Sequence, residues 1–171
     1  LNSIGAELAK DPDVHAITDV TGFGVLGHGL EMARGSKLAL TIEAGKVPLL
    51  VKAASLAGQG FVTGASHRNW ASYKDEVTLP DGFPEWHRHL LSDPQTSGGL
   101  LVACSANRAE EIAQTIRAAG YPATAVIGRA ETGAPRASSS STTTKRACAS
   151  MPAPPYARGS DTPISPSAAR A

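Results

Sequence analysis

The sequence contains little cysteine, and it has no long apolar run. Its two cysteines, Cys104 and Cys148, cannot build a disulfide framework or a thiolate metal site. No apolar stretch approaches the roughly 20 residues that a membrane-spanning helix needs, and the N-terminal residues lack the pattern of a signal peptide. We therefore expect a cytoplasmic protein with no membrane partner.

An excess of one charge is also lacking, because 16 Lys and Arg stand against 15 Asp and Glu. The segment after Ala130 carries five basic and two acidic residues, so the larger part before it has a net charge of −2. A mildly acidic body offers no basic stripe that could bind a phosphate backbone. We expect no nucleic-acid partner.

Branched aliphatic and aromatic side chains almost disappear after Gly133. Between residues 134 and 171, Ile164 is the only branched aliphatic residue and Tyr156 the only aromatic one. Such a segment cannot bury enough apolar surface to offset the roughly 1–2 kcal/mol per residue that ordering a backbone costs. The composition predicts one domain at residues 1–133 and a disordered low-complexity tail at residues 134–171.

The domain alternates between segments with the period of strands and segments with the period of helices. The predicted strands span residues 14–20, 37–43, 99–104 and 123–128, with a short one around 76–79. The predicted helices span residues 2–10, 25–35, 48–57, 84–91 and 107–119. Residues 61–84, rich in glycine and polar side chains, predict a long surface excursion. This order predicts an α+β fold in which a mixed β-sheet packs with helices.

The first notable motif is ITDVTGFGVLGH, residues 17–28. It places Asp19 at the end of a predicted strand, where a carboxylate can bind a hard cation such as Mg²⁺. Gly22 and Gly24 permit close backbone approach, and the following helix start favours anions. The alternative is structural: Thr21 caps the helix, Asp19 complements the helix dipole, and the glycines only ease packing.

The second motif is DPQTSGG, residues 93–99, between a predicted helix and a predicted strand. Thr96 and Ser97 offer hydroxyl groups, and Gly98 and Gly99 allow successive N–H groups to converge on an anion. A structural turn, in which a proline fixes φ and the glycines adopt positive φ, is the alternative.

The histidines do not form a metal-binding pattern. His87 and His89 are two residues apart on a predicted helix, so they cannot bind one metal as an i, i+4 pair can. We expect both to be solvated, and His28 to be a packed or exposed side chain rather than a catalytic one. The domain also lacks a phosphate-binding P-loop and a recognisable nucleophile with its base.

Three segments together, ITDVTGFGVLGH, HRNW (residues 67–70) and DPQTSGGLL, resemble the C-terminal half of the selenophosphate synthetases, also called selenide, water dikinases. The resemblance runs from Leu1 to about Arg129. The wider superfamily includes aminoimidazole ribonucleotide synthetase, thiamine-monophosphate kinase and a hydrogenase maturation factor. Its subunits have an N-terminal domain that binds ATP and dimerises, and a C-terminal α+β domain that closes over the site.

The resemblance implies a function. The family converts selenide, ATP and water into selenophosphate, AMP and phosphate, with Mg²⁺ and with a reactive cysteine or selenocysteine near a lysine. Those two residues belong to an N-terminal segment that this sequence does not contain. Asp19 resembles the aspartate that the C-terminal domain contributes to Mg²⁺. We therefore expect a fragment without catalytic residues of its own, inactive without its N-terminal half, from a homodimeric enzyme.

One departure from the family pattern follows the IGR segment, residues 127–129. Family members usually continue into a further strand, whereas this chain continues into serine, threonine and proline. Two other interpretations stay open. The chain could belong to a related ATP-dependent kinase or maturation factor of the superfamily, or it could be a non-catalytic binding module with the same fold.

Overall fold

The computed structural model describes residues 2–140, which form six α-helices and six β-strands. The helices are α1 (Gly5–Leu8), α2 (Gly24–Ser36), α3 (Ala53–Gly58), α4 (Gly64–Tyr73), α5 (Glu85–Leu91) and α6 (Ala109–Ala118). The strands are β1 (Val14–Asp19), β2 (Leu38–Glu43), β3 (Val77–Thr78), β4 (Leu100–Cys104), β5 (Gly128–Thr132) and β6 (Arg136–Ser140).

The strands form two sheets. β1 and β4 make an antiparallel pair, in which Asp19 at the end of β1 lies opposite Leu100 at the start of β4. The other four strands lie in the order β3-β6-β2-β5. In this second sheet β2 pairs with β5 antiparallel and with β6 parallel, and β6 pairs with β3 parallel. The predicted α+β fold with a mixed sheet is confirmed.

Helix α2 lies at the centre of the hydrophobic core. It contacts strands of both sheets and the helices α4 and α5. Leu26 and Leu30 on α2 are almost completely buried, and they pack in one cluster with Ile42 of β2 and Leu91 of α5. Because the loop before α2 begins where β1 ends, this buried helix fixes the position of the first motif.

The last strand, β6, corrects the predicted boundary of the tail. Residues 136–140 were expected to be disordered, but they form a strand between β2 and β3. Ala137 is fully buried against the core, and the Thr41 and Ser138 hydroxyls lie 3.2 Å apart across the strands. Small side chains fit beneath α2, and backbone hydrogen bonds to two neighbours stabilise the strand without a large apolar residue. Residues 141–171 of the predicted tail lie outside the described residues.

Several other predicted boundaries differ from the structure. Helix α4 occupies the middle of residues 61–84, which were expected to be a surface excursion. Helix α3 begins at Ala53 rather than at Pro48, and the last strand before the tail is Gly128–Thr132 rather than residues 123–128. Helix α1 has only four residues. The predicted helix 84–91 and the predicted strands 14–20, 37–43 and 99–104 agree with α5, β1, β2 and β4 to within one residue at each end.

Within residues 2–140, none of the helices is long and apolar enough to cross a membrane.

Candidate functional site

The loop of residues 20–23 connects β1 to α2 and carries the centre of the first motif; we call it loop A. Asp19 is the last residue of β1, and its side chain is exposed. Gly24, which opens α2, has φ of +68°, and a Cβ there would lie 2.7 Å from the Leu91 carbonyl oxygen. Glycine is therefore required by the local conformation and by the close approach of the segment after α5.

The loop of residues 93–99 connects α5 to β4 and carries the second motif; we call it loop B. Because β1 and β4 are antiparallel, the end of β1 and the start of β4 lie at the same edge of their sheet. The Val20 N–H donates to the Gly99 carbonyl at 2.9 Å, and the Gln95 N–H donates to the Thr21 carbonyl at 3.0 Å. The structure therefore brings the two motifs together, although about 70 residues separate them in sequence.

Gly98 is the closest point between the two loops. A Cβ on Gly98 would lie 1.7 Å from the Val20 carbonyl oxygen, well inside contact distance. A Cβ on Gly99 would have nothing within 4 Å, and the Gly99 carbonyl accepts from the Val20 N–H. The two neighbouring glycines thus have different roles, since only Gly98 is required for close approach.

The side chains of Asp19, Thr96 and Ser97 in the two motifs are exposed. Among the described residues, neither hydroxyl has a hydrogen-bond partner, and the Asp19 carboxylate has no hydrogen-bond or ion-pair partner. These oxygens are available to a ligand, which fits the binding role that was predicted for them.

Helix α4 holds both loops, and sequence reasoning missed it. The Asn69 carboxamide donates to the Gly22 carbonyl at 2.8 Å and to the Ser92 carbonyl at 3.0 Å. The Tyr73 hydroxyl donates to the Phe23 carbonyl at 3.1 Å. The available signal was Thr63, which caps α4 by accepting from the Ser66 N–H at 3.1 Å. A threonine three residues before a serine is only a weak signal for the start of a helix, and two nearby glycines argue against a helix there.

His28 is packed beneath loop A. The residue is 7% exposed, Nδ1 lies 3.1 Å from a Glu31 carboxylate oxygen, and Nε2 accepts from the Phe23 N–H at 3.4 Å. The Thr21 hydroxyl also lies 3.3 Å from Nε2. The alternative in which Thr21 caps α2 is wrong, because Phe23 is the N-cap and no side chain caps that terminus.

The expectation that His89 is solvated is also wrong. The residue is 4% exposed, and Nδ1 lies 3.1 Å from the Ser66 hydroxyl on α4. Burial lowers the pKa of His89 below its ordinary value, and the positive charges of His67 and Arg88 lower it further. Glu85 acts in the opposite direction. His87 is half-buried, and burial lowers its pKa as well.

The site contains one candidate metal ligand and no preformed metal cage. Within residues 2–140, no group of three or more His, Cys, Asp or Glu side chains could hold a metal ion. Mg²⁺ normally binds through one or two carboxylates together with water and substrate phosphates. The exposed Asp19 carboxylate therefore fits a shared Mg²⁺ site, in which other ligands come from outside the described residues.

The fold and these two loops match a known family. Residues 3–137 match the family "AIR synthase related protein, C-terminal domain", so the chain belongs to that family. It is 62% identical over 134 residues to a selenide, water dikinase of Rhizobium meliloti (strain 1021), covering 78% of this chain and 38% of the relative. It is 52% identical over 136 residues to a selenide, water dikinase of Pseudomonas straminea, covering 80% of this chain and 38% of the relative.

A protein of the same name from Burkholderia orbicola (strain MC0-3) is 51% identical over 128 residues. The chain thus spans little more than a third of the length of the curated relatives it matches. The resemblance inferred from the three sequence segments is confirmed by these matches.

Proposed function

We propose that this chain is the C-terminal part of a selenide, water dikinase, which makes selenophosphate, AMP and phosphate from selenide, ATP and water. The observation that carries the proposal is 62% identity to a protein of that name over 134 residues. The close approach of loops A and B supports it, because it brings near each other the Asp19 carboxylate and the Thr96 and Ser97 hydroxyls, which have no partner among the described residues.

In this proposal the chain's own residues bind and orient phosphate groups. Asp19 would bind Mg²⁺ together with substrate phosphates and with ligands from the N-terminal part. When bound, Mg²⁺ would neutralise the negative charge of the phosphates. Thr96 and Ser97 donate hydroxyl hydrogen bonds to phosphate or product, and the backbone at Gly98 and Gly99 lets the loop approach it. The reactive cysteine or selenocysteine and its lysine belong to the N-terminal part.

The wider cellular setting is part of the same proposal. We infer a cytoplasmic, homodimeric full-length enzyme whose partners are ATP and selenide, with neither nucleic acid nor membrane among them. We expect these 171 residues alone to be inactive, since they match only 38% of the length of the Rhizobium meliloti relative.

A chimaera tests the proposal directly. Residues 2–140 would replace the matching part of the Rhizobium meliloti relative, which is 62% identical to this chain. We expect AMP and selenophosphate to form only when ATP and selenide are both present. A folded chimaera that consumes ATP without any need for selenide would favour a related kinase of the superfamily. A folded chimaera with no nucleotide turnover would favour a non-catalytic binding module.

A further inference from the structure

Asn69 on α4 is not one of the residues proposed to touch substrate, yet its side chain hydrogen-bonds loop A and the residue that precedes loop B. Both hydrogens of its NH₂ group are used, one by the Gly22 carbonyl at 2.8 Å and the other by the Ser92 carbonyl at 3.0 Å. Gly22 lies three residues after Asp19, and Ser92 directly precedes loop B. A single planar group thus spans the gap between the two motifs.

Two further side chains at α4 also contact these segments. The Tyr73 hydroxyl donates to the Phe23 carbonyl of loop A and also interacts with the Ser92 side chain before loop B. The Thr63 hydroxyl donates to the Asp93 carboxylate of loop B at 2.7 Å. Asn69 differs from Tyr73 and Thr63 because it contacts the backbone on both sides. If its two hydrogen bonds were lost, α4 would keep the Tyr73 and Thr63 contacts. The hydrogen bonds that link α4 to the backbone of both segments would then be absent.

Two backbone hydrogen bonds also join the loops directly. The Val20 N–H and the Gln95 N–H each donate to a carbonyl of the opposite loop. Ser92 is fully buried and cannot adjust easily, whereas Gly22 is exposed. The Asn69 carboxamide therefore ties the freer loop to a fixed point in the core.

We propose that Asn69 is a positioning residue that fixes the separation between the Asp19 carboxylate and the Thr96 and Ser97 hydroxyls. Asp19 and the two hydroxyls must meet the same chain of phosphates, so their spacing controls the geometry of the reacting groups. The kinetic consequence rests on the proposed function. The coupling of the two loops does not.

The coupling is tested in the 171-residue chain by amide hydrogen exchange. Asn69→Asp keeps the shape of the side chain and removes both donors, and Asn69→Ala removes the group. Asn107→Asp is the matched control, because Asn107 is exposed on a turn before α6 and makes no hydrogen bond with the described residues through its side chain. We expect exchange at the Val20 and Gln95 amides to accelerate about tenfold in both Asn69 variants, with no change at the amides of β2.

Two results would overturn the coupling. One is unchanged exchange at Val20 and Gln95 in Asn69→Asp. The other is an equal acceleration in β2, since this would show that Asn69 stabilises the whole domain and does not act on the loops in particular.

The kinetic part is tested in the chimaera with the Rhizobium meliloti relative. We expect Asn69→Asp to lower kcat for selenophosphate formation at least about tenfold while KM for ATP changes less than about threefold, because positioning affects the reacting geometry more than nucleotide affinity. The Asn107→Asp chimaera should match the parent, and the melting temperatures of the two variants should agree. An Asn69→Asp chimaera with the kcat of the control contradicts the proposal.

A different result would contradict the proposed function itself. A parent chimaera with Asn69 intact and no selenide-dependent activity would remove the kinase assignment. The exchange result in the 171-residue chain still decides whether Asn69 couples the loops.

Discussion

At the scale of single residues, two adjacent glycines in loop B provide a sharp comparison. A Cβ at position 98 would lie 1.7 Å from the Val20 carbonyl oxygen, whereas nothing lies within 4 Å of a Cβ at position 99. We predict that Gly98→Ala lowers the free energy of unfolding by about 1–3 kcal/mol, because the loops must separate to admit the methyl group. Urea unfolding of the chain measures this.

Gly99→Ala is the matched control. It should keep the free energy of unfolding within about 1 kcal/mol of the parent, since the added methyl group meets open space. Equal losses in the two variants would contradict the close approach at Gly98.

Asp19 is expected to affect activity and not stability. Its carboxylate is exposed and has no partner among the described residues. Asp19→Asn should therefore change the free energy of unfolding by less than about 0.5 kcal/mol. In the chimaera it should lower turnover at least about tenfold, because the proposed Mg²⁺ site loses one ligand, and raised Mg²⁺ should restore part of the activity.

The comparison of turnover with thermal unfolding distinguishes the two interpretations of Asp19. A variant that is fully active removes Asp19 from the site. A variant whose stability falls along with its activity supports the structural role at the start of α2. The control is Asp81→Asn, since Asp81 is also exposed and lies outside both loops.

At the scale of elements, the contact between α4 and α5 contains a buried histidine that makes stability depend on pH. The pKa of His89 in the folded chain is below its ordinary value, chiefly because of burial. The unfolded chain therefore takes up a proton on His89 at a higher pH than the folded chain does. The stability contributed by neutral His89 is complete above the ordinary pKa of 6.5 and is lost as pH falls below it.

We predict that His89→Asn weakens this pH dependence. Asparagine keeps a polar group near Ser66 but does not titrate. The measurement is the free energy of urea unfolding between about pH 8 and pH 5.5, whose slope reports the difference in bound protons between the two states. His15→Asn is the control, because His15 is exposed. An unchanged slope in His89→Asn would show that other groups take up the protons.

The elements with strong periodicity could be predicted from the sequence, and the others could not. β2 alternates apolar and polar residues, and α2 carries an apolar stripe, so both were predicted with small boundary errors. α4 has only two buried residues, Ser66 and Tyr73, so its helical period is hardly visible in hydrophobicity. β6 was missed because alanine and serine carry no strand signal, although backbone pairing on both sides orders them.

Strand β6 allows a direct test of that explanation. Ala137 is fully buried, whereas Ala134 just before the strand is exposed. We predict that Ala137→Asp destabilises the chain by about 3 kcal/mol or more, since it buries a carboxyl group without a partner. Ala134→Asp should have an effect below about 0.5 kcal/mol. Equal unfolding curves for the two variants would place residue 137 outside the core.

At the scale of the whole molecule, the site depends on contacts that the sequence does not reveal. Each motif was recognised by its residue types, yet each also had a structural interpretation. Their proximity follows from the pairing of β1 with β4, which joins segments more than 80 residues apart, and from α4, which was not predicted. The two motifs are therefore adjacent in the folded chain, which supports the proposal that they bind one ligand. The hydrogen bonds of Asn69 show that structural contacts also hold this region in place.

We expect the isolated chain to bind neither Mg²⁺ nor ATP measurably. Mg²⁺ gives up its hydration shell reluctantly, and one carboxylate at Asp19 cannot replace it without phosphates and further ligands. Two hydroxyls on an exposed loop are too few to hold a nucleotide against the entropy lost on binding. We predict that titration calorimetry of the 171-residue chain with Mg²⁺ and ATP gives no heat of binding at concentrations near 1 mM, about the range of substrate affinities in ordinary enzymes. The chimaera should bind ATP under the same conditions, because its N-terminal part supplies the remaining ligands. Clear micromolar binding by the chain alone would mean that loops A and B form a complete site, and the shared-site account of Asp19 would have to be abandoned.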